Sequence, residues 1–104
     1  MNYHLKKYIN ATKSQAIRLG VRLRIDPTAF DTVALVSNTK SNKIALVSLM
    51  TDVFGETSIK AYIINRKKYD WARAEGFSLD EMLELIEEKI FFPVDSDKLA
   101  RHLL

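Results

Sequence analysis

The sequence predicts an α+β domain on three observations: an N-terminal helix, a three- to four-stranded antiparallel sheet and two or more C-terminal helices. Apolar residues recur at helical spacing up to residue 19, β-branched runs separated by polar loops fill residues 21–65, and helical spacing returns from residue 66. Strands gathered in one block, with helices outside it, are the pattern of α+β rather than alternating α/β architecture. The 104 residues show no linker-like change in composition, so a single domain over 1–104 is expected.

Each element has its own signature. Residues 2–19 place Leu5, Tyr8, Ile9, Thr12, Ala16 and Leu19 on one helical face and Lys6, Asn10, Lys13, Ser14 and Arg18 on the other, which makes an amphipathic helix with a basic back. Gly20 is suited to end it, because glycine reaches positive φ without a Cβ clash. Val21, Arg22, Leu23, Arg24 and Ile25 alternate apolar and basic, as in a strand with one wet face. Asp26-Pro27 is expected to break that strand, and residues 28–31 to form a connection.

Residues 32–37 and 43–51 read as strands joined by the polar hairpin loop 38–42. Residues 44–50 are apolar on both faces, so this strand is expected at the centre of the sheet, covered by helices from the two ends of the chain or on one side by a homodimer. A turn at 52–56 leads to a strand over 57–65 that carries Ile59, Ala61 and Ile63 on one face. A short helix over 67–75 then stops at Gly76. Ser78 and Glu81 form a capping box for a helix to about residue 91, with Leu79, Met82, Leu83, Leu85, Ile86 and Ile90 on its apolar stripe and Asp80, Glu84, Glu87 and Glu88 opposite. Pro93 ends it, and 95–104 is expected to be one more helical turn or a frayed end.

Several chemistries find no support. The absence of cysteine removes disulfides and thiolate chemistry and leans toward a reducing compartment, so the cytoplasm is the expected location. Residues 1–7 are followed by no apolar signal region, and the longest apolar stretch, 44–50, is far short of the ~18 residues of a membrane span. His4 and His102 lie near opposite ends of the chain, and no serine sits in a Gly-x-Ser-x-Gly elbow. Three glycines, widely spaced, make no phosphate cradle. Asp95, Asp97 and His102 lack the third acid, central glycine and terminal glutamate of a calcium loop, and Asp95, Ser96 or Asp97 suits a helix cap better. The acidic face with Glu81, Glu84, Glu87 and Glu88 has nothing to desolvate it and is expected to titrate normally. No catalytic residue, cofactor or metal is therefore expected, and the chain is read as a non-enzyme.

Charge is the feature that points somewhere. Residues 1–73 hold 13 Lys/Arg against 5 Asp/Glu, net +8, and residues 74–104 hold 3 against 8, net −5. Lys6, Lys7, Lys13, Arg18, Arg22, Arg24, Arg66, Lys67, Lys68 and Arg73 are the candidate nucleic-acid-binding residues, with Tyr3, Tyr8, Tyr69 and Trp71 among them. Cations neutralise phosphates with counterion release, and aromatic rings stack on exposed bases. The plain alternative is that these are solvated helix backs, with Tyr8 in the core; the hairpin loop at Lys40 and Lys43 likewise reads as an ordinary surface loop or the tip of a basic ribbon. Residues 71–85 partly resemble a helix-turn-helix through Ala72, Gly76, Met82 and Leu85. Glu75 and the acids of the would-be recognition helix oppose that reading, since phosphates repel them.

The expected function is thus a small non-catalytic binding or regulatory protein that engages nucleic acid or a nucleoprotein complex through a basic surface. The alternative is an inhibitor or adaptor, antitoxin-like or phage-inhibitor-like, docking on another protein through its acidic C-terminal helix or a sheet edge. On the first reading, changing Arg22 and Arg24 together to Ala weakens nucleic-acid binding and leaves the thermal midpoint nearly unmoved; a binding titration beside a melting curve checks this.

Overall fold

Helix α1 (Tyr3–Arg18) begins where Asn2 Oδ1 accepts the His4 backbone N–H at 2.9 Å, which satisfies one of the donors a helix leaves open at its start. It ends in a Schellman motif: the Gly20 N–H donates to Ile17 O at 3.0 Å and the Val21 N–H to Ala16 O at 2.9 Å, with Gly20 at φ 83°. The chain thereby reverses directly into β1 (Leu23–Pro27). The computed structural model describes residues 2–27, 32–86, 88–91 and 96–104, so the expected connection over 28–31 lies outside the described residues.

Strands β1, β2 (Val33–Asn38), β3 (Lys43–Thr51), β4 (Thr57–Asn65) and β5 (Glu88–Phe91) form one antiparallel sheet in that order. Helix α2 (Arg66–Ala74) follows β4, and α3 (Leu79–Met82) runs into a 3₁₀ turn at Leu83–Leu85. Helix α4 (Ser96–His102) closes the chain. This is the α+β arrangement the sequence predicts, with two corrections. The helix expected to reach residue 91 stops at Leu85, and residues 88–91 instead pair with Lys60–Ile63 as a fifth strand. The exposed ladder of β4 offers backbone partners there, and tertiary pairing overrides the helical pattern. Strand β1 also continues through Asp26 and Pro27, because at the edge of a sheet proline forfeits no ladder bond.

Side-chain alternation sorts the sheet into two faces. Ala34, Val36, Ala45, Val47, Ala61 and Ile63 point to the first, where they pack with Leu5, Ile9 and Ala16 of α1 and with Leu99, Ala100 and Leu103 at α4. All but Ile9 and Ile63 are fully buried. The alanines on strands and helices let the helices lie close to the sheet, and α1 and α4 pack against each other over it. The last segment, read as a helical turn or a frayed end, is therefore core. The second face carries Leu35, Ile44, Leu46, Tyr62 and Ile64, covered toward one end of the sheet by Tyr69 of α2, Met82 of α3 and Ile86. Ile44 and Ile64, cross-strand partners, are buried under this cover.

Asn38 joins the two ends of the fold. Only 3% exposed, its Nδ2 donates to Leu103 O at 3.0 Å, and its Oδ1 accepts the Lys40 N–H at 2.9 Å. Asn38→Ala leaves the Leu103 carbonyl and the Lys40 amide without these partners, and is expected to lower stability by about 1–3 kcal/mol in urea unfolding.

The capping box is present: the Ser78 N–H donates to Glu81 Oε1 at 3.1 Å and the Glu81 N–H to Ser78 Oγ at 3.2 Å. The Ser78 backbone N–H, and after it the Ser78 hydroxyl, hold the Glu81 carboxyl below its ordinary value, which corrects the expectation of normal titration for this group. A lowered folded-state pKa means that the stabilisation is present above the ordinary glutamate pKa and is lost as pH falls through the lowered one. In an NMR titration, Ser78→Ala is expected to raise the Glu81 midpoint part of the way back, since the backbone donor remains.

Candidate nucleic-acid interface

Three connections meet at one end of the sheet. The turn after α1 leads into Leu23, which pairs with Asn38; the β2–β3 hairpin loop turns beside it; and Lys43 pairs with Asn65, where α2 begins. Arg66 locks the last two together. Its Nη2 donates to Asn38 O at 2.9 Å, its Nε to Ser41 O at 3.3 Å, and its backbone N–H to Asn42 O. The hairpin loop is thereby tied to the start of α2, whose cap is the Asn65 side chain accepting the Lys67 N–H at 2.8 Å.

This end of the sheet is cationic. Arg22 and Lys40 line a common cleft of about 350 Å³ with Gly20, Val21, Asn38 and Thr39. Lys43 and Lys67 are exposed at the same end of the sheet, and exposed Arg18 lies in the last turn of α1. Residues 1–25 and 32–51, which supply Arg18, Arg22, Lys40 and Lys43, contain no Asp or Glu, whereas Lys67 has Asp70 three residues further along α2. Arg18 is accounted for by the negative end of the α1 dipole. Arg22 and Lys40 share the cleft with Asn38, which also holds the Leu103 carbonyl just past the end of α4, and their own segments contain no carboxylate.

The ten residues read from the sequence thus divide. Arg18, Arg22, Arg66 and Lys67 come together at this end, with Arg66 occupied in holding the loop. Lys6 and Lys7 lie in the first turns of α1, about 17 Å from its other end, and Lys13 lies between. Arg24 points to the opposite face from α1, 3.4 Å from Asp26. Lys68 and Arg73 continue along α2, where the Arg73 guanidinium lies 6.0 Å from the Tyr69 ring centre. Trp71 is 51% exposed one turn beyond Lys67 and packs edge-on against Phe77 at 5.1 Å. Tyr8 packs against the core, and exposed Tyr3 meets His4 edge-on at 5.7 Å.

Lys40 and Lys43 belong to the cluster although the sequence reading set them aside as an ordinary loop. The signal was the acid-free run around them; its meaning depends on which segments it lies beside. The helix-turn-helix resemblance dissolves, because α3 has four residues and cannot serve as a recognition helix. Its shortness also removes the long acidic helix on which the inhibitor reading leaned. Asp97 is held by Arg101 at 2.8 Å, Asp95 lies outside the described residues, and no group of three metal-ligating side chains occurs among those described. No described helix is long and apolar enough to cross a membrane. Comparison with family models, curated proteins and solved structures returned no match.

Proposed function

We propose that this chain is a non-catalytic binding protein that grips the phosphate backbone of a nucleic acid, free or within a nucleoprotein complex, with the basic end of its sheet. The observation that supports this reading is that Arg22 and Lys40 line one cleft, with Lys43 and Lys67 at the same end of the sheet. Cations held at fixed spacing displace counterions from a polyanion and thereby gain free energy that falls with salt. Trp71, exposed a turn beyond Lys67, is placed to stack on an unpaired base that the backbone contacts bring near. The cleft itself has Gly20, Val21 and Thr39 on its walls and no aromatic ring, which suits a phosphate and sugar rather than a base.

The experiment is a fluorescence-anisotropy titration of labelled single- and double-stranded DNA and RNA at several salt concentrations. Four phosphate contacts on duplex DNA are expected to give a log–log salt slope of about −3.5. Arg22→Ala with Lys40→Ala is expected to lower the magnitude of that slope by about 2 and weaken binding at least tenfold at low salt. Lys6→Ala with Lys7→Ala leaves the slope nearly as it was, and Arg24→Ala has a smaller effect than Arg22→Ala. The single tryptophan reports base contact directly, as a fluorescence change on adding single strands. Absence of binding to every probe at low salt rejects the reading.

A further inference from the structure

The cleft at the basic end is built from two segments: Gly20, Val21 and Arg22 after α1, and Asn38, Thr39 and Lys40 where β2 passes into its loop. Both segments are held in place by their own hydrogen bonds. In the first, the Gly20 N–H donates to Ile17 O at 3.0 Å and the Val21 N–H to Ala16 O at 2.9 Å. In the second, Asn38 Oδ1 accepts the Lys40 N–H at 2.9 Å, and Asn38 O accepts the Ser41 N–H at 3.1 Å and Arg66 Nη2 at 2.9 Å. Backbone fixed beforehand loses little freedom when a ligand arrives. At about 350 Å³ the cleft falls in the size range of pockets that take small ligands, roughly 300–1,000 Å³. Its lining includes two cations, Arg22 and Lys40, and no carboxylate. Guanidinium and ammonium groups donate hydrogen bonds and accept none, so this cleft calls for a ligand that brings acceptors and negative charge together.

We propose that this cleft receives the terminal phosphate of a nucleic-acid strand, so that the protein engages an end; the inference rests on the nucleic-acid reading above and names the group its cleft takes. Charge supports a terminal group. A phosphate within a strand is a diester with a single negative charge, whereas a terminal phosphate monoester carries about −1.5 to −2 at neutral pH and three strong acceptor oxygens. Two cations lining one cleft match the monoester; a diester leaves one of them facing the other without compensation. The chemistry of the two side chains differs in a way that suits three oxygens. A planar guanidinium grips two oxygens side by side, and an ammonium serves a third as a point charge. Lys43 and Lys67, exposed at the same end of the sheet but not part of the cleft lining, are left for the single charges of the phosphates that follow.

The test is fluorescence anisotropy at fixed low salt with internally labelled single strands of one sequence, as DNA and as RNA, that end in a 5′-phosphate, in a 3′-phosphate or in hydroxyls at both ends. One of the phosphorylated strands is expected to bind at least about tenfold more tightly than the hydroxyl strand, the effect of added charge-assisted hydrogen bonds. Arg22→Ala and Lys40→Ala, both at exposed positions, are each expected to abolish that preference with an unchanged circular dichroism spectrum. Lys67→Ala is expected to weaken all the strands alike and to keep the preference. Equal binding of the phosphorylated and hydroxyl strands overturns the proposal and leaves the nucleic-acid reading standing, whereas binding of none of them counts against both. A preference that survives Arg22→Ala combined with Lys40→Ala overturns the proposal too. Adenosine 5′-monophosphate supplies the same phosphate monoester without a strand. It is expected to displace the phosphorylated strand only in large excess, and displacement at equal concentration overturns the strand-end assignment in favour of a free nucleotide.

Discussion

Strand β3 has apolar side chains on both faces, and the rest of the fold is arranged around covering them. Buried polar backbone is satisfied by neighbours on either side, β2 and β4, which places β3 at the centre of the meander. Its first face, Ala45, Val47 and Leu49, is sealed by α1 and α4, the two helices farthest apart in sequence. Its second face is sealed at Ile44 by α2 and α3 and lies open at Met50.

The same strand separates two chemistries. At its start, Lys43 shares an end of the sheet with Arg22, Lys40 and Lys67, where Arg66 and Asn38 fasten the connecting loops. At its end, Asp52 pins a turn that carries Val53 and Phe54. Nine residues span about 26 Å between them, so the cations and the apolar turn occupy separate surfaces. Arg66 shows why charge alone is a poor guide to a surface: its guanidinium is spent on two carbonyls, and a planar fork suits that task better than a flexible ammonium does.

Periodicity was most reliable where a single rule governed. The strands over 43–51 and 57–65 and the end of α1 at Gly20 were legible because alternation, loop composition and glycine's access to positive φ act locally. Residues 86–91 were not. Their apolar spacing continues a helical stripe, yet the ladder of β4 was available to pair with, and that alternative lies twenty-five residues away in sequence. Residues 96–102 were legible as a helix start and not as core, since burial of Leu99 and Ala100 depends on where α1 has left a gap. The candidate site divides in the same way: Arg22 and Lys67 were named from the sequence, whereas Lys40 and Lys43 gained significance only from their neighbours.

By itself, then, the sequence determined the α+β class, the central place of β3, the absence of thiol chemistry and the excess of cations in residues 1–73, because composition and short-range spacing decide each of these. Only the tertiary structure decided which cations stand together, that Arg24 faces away from α1, that Arg66 serves the loops, and that Val53 and Phe54 are carried outward on a fixed turn. Those outcomes rest on strand register, where a shift of one residue moves a side chain to the other face of the sheet, and on contacts between segments that the order of residues along the chain does not specify.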